Sequence, residues 1–467
     1  MAVAEHDEGE THRVIVLSRS GTEVLIVSGG DRHLLPEVVI PRWQRAAESL
    51  TAAVEDEWGE KVICLFTPDC AAGERPGNGA HYQVAEHWVT TGTSKSSTCW
   101  LPISDLSSDF FPDQSDYSAL KSSVSEIHSE MCQRSVRPFA SLGWFKELLE
   151  WIEGVIEPRG FHLNGSFRQF NASPTFSLVR FETNGPALWF KAIGEPNQRE
   201  FAITLTLAKL FPGYVPTILA DRREWNGWLT QEVEGTHLSE TQESALWGAA
   251  ASALAELQIR SVCAGGEILA ANAHDLRVAS LSRLVQPLVE TVASLMDRQT
   301  KIPPPLLSRG ELALLEKRIQ EALEVLDDLG IPDTLGHLDL NPGNIVVSAD
   351  HCAFLDWAEA CVGNPFFCLQ YLLEHLRRAI GTDSTIEGRL VKSYCAPWKR
   401  VIPSAVIDEA LSLAPLLAAF TYAAGINVRQ EAERLEESAT AGYLRSLARR
   451  MYREANLLAD RRLLCLR

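Results

Sequence analysis

The chain lacks any run approaching the roughly eighteen consecutive apolar residues of a membrane-spanning helix. Its first ten residues, Met-Ala-Val-Ala-Glu-His-Asp-Glu-Gly-Glu, lack the basic and apolar segments of a secretory signal. The expectation is a cytoplasmic protein with no membrane partner. Its ten cysteines include no Cys-x-x-Cys pair, and His351 beside Cys352 stands at no zinc spacing. Reduced, mostly buried thiols are expected in place of a disulfide framework or a structural metal. Cys465, third from the end, makes no prenylation box. Basic charge is also short. The net charge is −18, and residues 1–140 hold 21 acids against 11 bases, leaving 40 against 32 for the rest. That balance excludes nonspecific nucleic-acid binding and is compatible with a cationic small-molecule partner. Missing too are a Gly-x-Gly-x-x-Gly phosphate loop and an Ala-Pro-Glu sequence.

What is present is ordinary globular composition, 46% hydrophobic and 22% charged over 467 residues, enough for two to three domains. The most informative stretch is Asp333 to Trp357. His337, Asp339 and Asn344 lie on a Pro-Gly-containing loop, followed by apolar runs Ile345–Val347 and Ala353–Leu355 joined by a polar turn. A loop feeding a β-hairpin is predicted, returning Asp356 toward Asp339 and Asn344. Two carboxylates and a carboxamide in one place suit phosphoryl transfer. Asn344 and Asp356 supply hard oxygen ligands for Mg²⁺, and Asp339 is left to accept a hydroxyl proton. An ordinary hairpin with Asp and Asn as turn formers is the plain alternative.

The pattern His337-x-Asp339-x-x-x-x-Asn344 followed by Asp356 resembles the catalytic loop and metal-binding aspartate of the aminoglycoside phosphotransferase and choline kinase-like families. Leu338 and Asn341 depart from the residues common there, and Trp357 replaces the Phe-Gly that follows the metal aspartate in protein kinases. The resemblance implies a bilobal protein-kinase-like fold of α+β class, with ATP or GTP and Mg²⁺ as cofactors. It also implies transfer of a γ-phosphate to a hydroxyl of a small molecule, with His337 bracing the loop. A protein kinase is disfavoured, because no activation segment fits between Trp357 and Pro365.

Upstream, three strands across 166–193 with turns at Asn171–Pro174 and Asn184-Gly185 fit the small β-lobe of such a fold. Lys191 would clamp the nucleotide phosphates, held by Glu200 nine residues on. A surface ion pair is the bland alternative. Ser173 and Thr175, in Asn171-Ala-Ser-Pro-Thr175, stand where a glycine loop would bond phosphate. Backbone groups near Gln231, Glu232 and Val233 would meet the adenine edge. Beyond Gly235 helices are predicted at 240–260, 276–296, 309–329, 365–380, 404–424 and 431–460. Glu374 and Asp275 are candidates for an acceptor amine, against the alternative that both are solvated. Arg445, Arg449, Arg450, Arg453, Arg461 and Arg462 read as the solvated face of a terminal helix.

The first hundred residues read as strand, strand, helix, strand, strand, an α+β layout. With Ala52-Ala-Val-Glu-Asp-Glu-Trp-Gly59 on the helix, this order resembles a Nudix domain. Only Asp56, Glu57 and Gly59 match that family's motif. Ala52 and Ala53 replace its Arg-Glu pair, Gln44 its upstream glutamate and Val38 its opening glycine. The resemblance therefore implies a noncatalytic module, and an unrelated small α+β domain is the plain alternative. The expected organisation is a Nudix-like domain at 1–103, a Ser/Asp/Pro-rich linker at 104–138, a kinase-like N-lobe at 139–235 and a helical C-lobe at 236–467. The competing functional reading is a nucleotide-binding pseudokinase sensor whose N-terminal domain binds a second ligand.

Overall fold

The computed structural model describes residues 9–28, 33–41, 46–68, 81–90, 98–130, 137–348, 350–429 and 438–465. The chain divides into two compact units, Met1–Phe201 with Ile218–Glu232, and Ala202–Thr217 with Val233–Arg467.

In the first unit, β1 (Gly9–Leu17) ends in the continuous apolar run Val14–Leu17 because both its faces are covered there. Val14 and Val16 pack with Leu50, Val54 and Trp58 of α1 (Ala46–Trp58), while Ile15 and Leu17 face a second core. Beside β1 lie β2 (Glu23–Ser28), β3 (His33–Leu34), β4 (Glu37–Pro41), β5 (Glu60–Phe66), β6 (His81–Thr90) and β7 (Thr98–Pro102). They form a seven-stranded sheet in the order β3-β2-β1-β6-β5, with β4 on β1 and β7 on β2; β1 and β6 run parallel. Residues 42–45, including Gln44, lie outside the described residues.

The stretch read as a linker carries α2 (Gln114–Glu130), with Ala119, Leu120 and Ile127 buried in the core. Asp116 is 1% exposed and takes hydrogen bonds from Tyr82 Oη (2.7 Å) and Arg13 Nη1 (2.6 Å). Its Ser/Asp-rich composition shows only modest helical character around 118–132, yet the helix is amphipathic and its polar residues are internal partners.

Next comes α3 (Trp144–Ile156), which buries Phe145, Leu148, Ile152 and Ile156 at helical spacing. Each such side chain is worth about 1.5–3 kcal/mol over exposure. These residues share one core with Ile15, Leu65 and Val84 of the first sheet and with Val179, Phe181, Phe190 and Leu229 of the next. That next sheet is antiparallel, β11-β12-β10-β9-β8, from β8 (Leu163–Ala172), β9 (Ser177–Thr183), β10 (Leu188–Ala192), β11 (Ile218–Arg222) and β12 (Gly227–Gln231). Between β10 and β11 runs α4 (Arg199–Leu210). Gln169 of β8, 2% exposed, bonds both backbone groups of Cys64 in β5, receiving its N–H (2.9 Å) and donating to its C=O (3.0 Å). The expected break between an N-terminal domain and a β-lobe is therefore no break in packing.

The second unit holds β13 (Thr236–His237), α5 (Ser244–Ser261), α6 (Gly265–Ala270), β14 (His274–Leu276), α7 (Val278–Asp297), α8 (Arg309–Asp328), β15 (Thr334–His337), β16 (Ile345–Val347), β17 (Cys352–Phe354) and β18 (Ala360–Gly363). After them come α9 (Phe366–Ile380), α10 (Ser384–Trp398), α11 (Ser404–Arg429) and α12 (Ser438–Cys465). Two helical cores result, one around α5, α9 and α10, the other around α7, α8, α11 and α12. Ser404–Ile426 is long and apolar enough to cross a membrane, and 72% of its most apolar window is buried among its neighbours. The helix α10 went unforeseen because Gly388 and Pro397 interrupt its sequence. It buries Leu390, Tyr394 and Trp398 at i, i+4, i+8, and Asp383 caps it by accepting the N–H groups of Thr385 and Ile386. Residues 431–437, the expected start of the last helix, lie outside the described residues.

Candidate active site

On β10 the alternation Leu188, Phe190, Ala192 points into the core and turns Lys191 to the other face. Lys191 Nζ donates to Glu200 Oε1 at 2.6 Å and lies 5.9 Å from the Trp228 ring centroid. Glu200, in the first turn of α4, is only 2% exposed. A carboxylate so buried needs its cation, so the pair is a built feature and no loose surface bridge.

Between β8 and β9 the chain reverses tightly. Ser173 N–H donates to Phe176 C=O (2.9 Å), and Ser173 Oγ receives the N–H of Phe176 (3.0 Å), which leaves its O–H free of that turn. Pro174 C=O accepts the Phe139 N–H at 3.1 Å, pinning the turn from behind. Thr175 packs on Gly194, where a Cβ would fall 2.4 Å from Thr175 Cβ, so the turn and the segment after Lys191 touch because position 194 is glycine.

Gln231 ends β12, paired with Leu188. Glu232 donates its N–H to Ala187 C=O (2.8 Å), and its carboxylate receives Arg180 Nε (2.7 Å), Arg180 Nη2 (2.8 Å) and Trp189 Nε1 (3.0 Å). The sequence reading considered only the backbone here and missed this anchor, whose signal was an Arg and a Trp on the outward positions of adjacent strands. Val233 opens the second unit.

In the second unit β15 ends at His337, which is fully buried. Its ring contacts Trp357 at a centroid distance of 4.8 Å, and Nε2 lies 3.0 Å from Leu355 C=O. His337 thus fastens the loop to the far end of the hairpin. Asn344 Nδ2 donates to Asp339 C=O (3.0 Å) and approaches Asp339 Oδ2 (3.5 Å). Asn341 Oδ1 receives the Gly343 N–H (2.9 Å), and His237 Nδ1 lies 2.9 Å from Gly343 C=O. The predicted hairpin forms as β16–β17, and Leu355 N–H donates to Asn344 C=O at 2.8 Å, which brings Asp356 back beside the loop. Asp356 is exposed and has φ 60°, ψ 66°, a left-handed conformation costing about 1–3 kcal/mol for a residue other than glycine. Such a cost persists where surrounding structure holds the side chain to a task. Asn344 and Asp356 are hard oxygen donors at one loop end and fit Mg²⁺. Among the described residues no cluster of three or more His, Cys, Asp or Glu forms a metal site.

Behind the loop, a Cβ on Gly336 would fall 2.7 Å from Cys361 Sγ, and Cys368 Sγ accepts the His337 N–H at 3.3 Å. Burial pushes the Cys368 thiol up to about 11 and the Cys361 thiol well above its ordinary value, so both stay protonated. The described cysteines are free, as expected.

Both acids named for an acceptor amine carry an arginine partner. Glu374 receives Arg450 Nη1 at 2.6 Å, and Asp275 receives Arg277 Nε and Nη2 at 2.8 and 2.7 Å, its carboxyl lowered to about 2 by Arg277. Nor are the C-terminal arginines simply solvated: Arg445 donates to Leu295 C=O and Arg449 to Pro305 C=O.

Residues 194–401 match the model of the phosphotransferase enzyme family. Solved structures similar to part of the chain include choline kinase from Cryptosporidium parvum Iowa II, at 13% identity and TM-score 0.48, covering 68% of this chain and 98% of that one. Ethanolamine kinase from Plasmodium vivax aligns at 10% identity and TM-score 0.45, over 66% and 85% of the two chains. Macrolide 2'-phosphotransferase from Brachybacterium faecium aligns at 18% identity and TM-score 0.41, over 65% and 98%. No curated protein matches the chain.

Proposed function

We propose that the chain is a small-molecule kinase that moves the γ-phosphate of ATP, or GTP, to an alcohol. The observation that carries this is the loop on which Asn344 bonds Asp339 while Asp356 is returned beside it in a left-handed conformation. The family match over 194–401 includes it. Asp339, exposed at the loop, orients the acceptor hydroxyl and takes its proton. Asn344 and Asp356 hold Mg²⁺, which when bound neutralises charge on the transferring phosphate. Lys191, fixed by Glu200, binds phosphate oxygens, and the Ser173 and Thr175 hydroxyls contribute donors at the β8–β9 turn. Backbone groups of Gln231 and Val233 receive the purine, with Glu232 locked by Arg180. His337 positions the loop.

The N-terminal sheet with α1 is, in this reading, a noncatalytic Nudix-like module. Its support is that α1 carries Ala52 and Ala53 where that family's Arg-Glu pair would stand. Asp339→Asn tests the assignment: turnover should fall by about 10²–10⁴-fold with ATP binding retained. Turnover within twofold of wild type would remove Asp339 from the reaction.

A further inference from the structure

We propose that His237 is a positioning residue for the transfer, a role that rests on the phosphotransferase reading: it fixes the backbone that aims Asn344, and so sets how tightly the site holds its divalent cation.

The two peptide groups flanking the Asn344 Cα present four polar atoms, and each has a partner. Asn344 N–H donates to Asn341 C=O (3.0 Å), Ile345 N–H to Pro342 C=O, and Leu355 N–H to Asn344 C=O (2.8 Å). These three bonds stay within the loop and its hairpin. The fourth atom, the Gly343 carbonyl oxygen, lies 2.9 Å from His237 Nδ1. A carbonyl oxygen only accepts, so Nδ1 carries the hydrogen and donates it. His237 thus holds this backbone from outside the loop and hairpin.

The strand β13 brings it there. β13 adds antiparallel to β16, with Thr236 opposite Val347 and His237 opposite Val346, two residues past Asn344. The approach needs glycine at 235, where φ is 146° and a Cβ would fall 2.7 Å from the Val347 carbonyl oxygen. His237 also stands four residues after Val233, so one side chain ties the segment assigned to the purine to the loop assigned to phosphate transfer.

The loop needs such a tie because its own chain is permissive at this point. Pro342–Asn344 is a single short turn, and Gly343 has no side chain to restrain it. A peptide group held only at its N–H can rock about the line joining its two Cα atoms, which changes φ at Asn344 and swings its side chain. Held at the C=O as well, it cannot. Asn344 Nδ2 donates to Asp339 C=O at 3.0 Å, which leaves Oδ1 as the metal donor. Mg²⁺ demands near-ideal octahedral geometry, so a swung Oδ1 is a poor ligand. The plain alternative is a staple that serves stability alone.

The test sets His237→Leu, which removes the donor, against His237→Asn, whose Nδ2–H stands where Nδ1–H does. Mn²⁺, as a probe for Mg²⁺, is titrated into the full chain with a nonhydrolysable ATP analogue and read by electron paramagnetic resonance. Label transfer from γ-labelled ATP into a metabolite extract is followed alongside. His237→Leu should weaken Mn²⁺ binding about fivefold and slow transfer about 10–100-fold, while metal-free nucleotide affinity moves less than twofold. His237→Asn should bind Mn²⁺ within about twofold of wild type. Should Leu lower the urea midpoint, His237→Gln takes its place, polar but with its amide one atom too far out. Mn²⁺ binding by His237→Leu within twofold of wild type, whatever its rate, overturns the role and leaves the kinase assignment standing. Equal losses in Leu and Asn do the same and leave His237 a staple. Neither Mn²⁺ binding nor label transfer by the wild-type chain removes the phosphotransferase reading, and the role of His237 with it.

Discussion

Asp356 is held at a backbone angle that glycine would occupy without strain. Asp356→Gly is therefore expected to leave stability within about 1 kcal/mol of wild type, relief of the left-handed angle offsetting the added chain entropy. Turnover should be lost, and chemical denaturation beside an ADP-release assay separates the two effects. Gly336 shows the reverse. A methyl there meets Cys361 Sγ at 2.7 Å inside the core, so Gly336→Ala should cost about 1–3 kcal/mol, read as a lower urea midpoint. His12, 9% exposed, has its imidazole lowered by burial first and by the neighbouring His81 second, with Glu10 opposing. Its native form is neutral, so the stability it contributes is present above about pH 6.5 and is lost as pH falls through the lowered folded value. The first unit should weaken between pH 7.5 and pH 5.5, and His12→Asn should flatten that dependence in urea titrations.

Among the elements, the Asp333–Trp357 segment was the most legible, because its loop, turn and two short strands are encoded by neighbours in sequence. Ile345–Val347 and Cys352–Phe354 form the expected hairpin. The helix α10 went unread, and α2 showed only as modest helical character inside a linker, for a common physical reason: what Leu120, Ile127 and Tyr394 pack against is remote in the chain. The site suffered the same limit. Lys191 and Glu200 were readable from a strand and the helix after it, whereas the Arg180–Glu232–Trp189 anchor joins three strands. Gln169 is the clearest inter-element tie. Gln169→Leu strips partners from the Cys64 N–H and C=O, at about 1–3 kcal/mol for each group left buried and unpaired. Hydrogen exchange should show β5 and β8 opening together in that variant; unchanged protection of both strands would contradict the tie.

At the scale of the molecule, the first unit is joined by a core that two sheets share around α3. Cutting the chain before residue 139 would uncover Phe145, Leu148 and Ile152, so a 139–467 fragment is expected to be insoluble or unfolded. A soluble fragment with wild-type turnover would show that the N-terminal sheet is dispensable. The second unit carries the loop with Asp339, Asn344 and Asp356 and its own helical cores. The central claim is that these three residues are the phosphate-transferring machinery. It is tested most directly by titrating Mg²⁺ into a γ-phosphate transfer assay with the wild-type chain and with Asp356→Ala. The account predicts Mg²⁺-dependent transfer by the wild type and none by the variant at any Mg²⁺ concentration. Transfer by Asp356→Ala at the wild-type rate, with the same Mg²⁺ dependence, would contradict it.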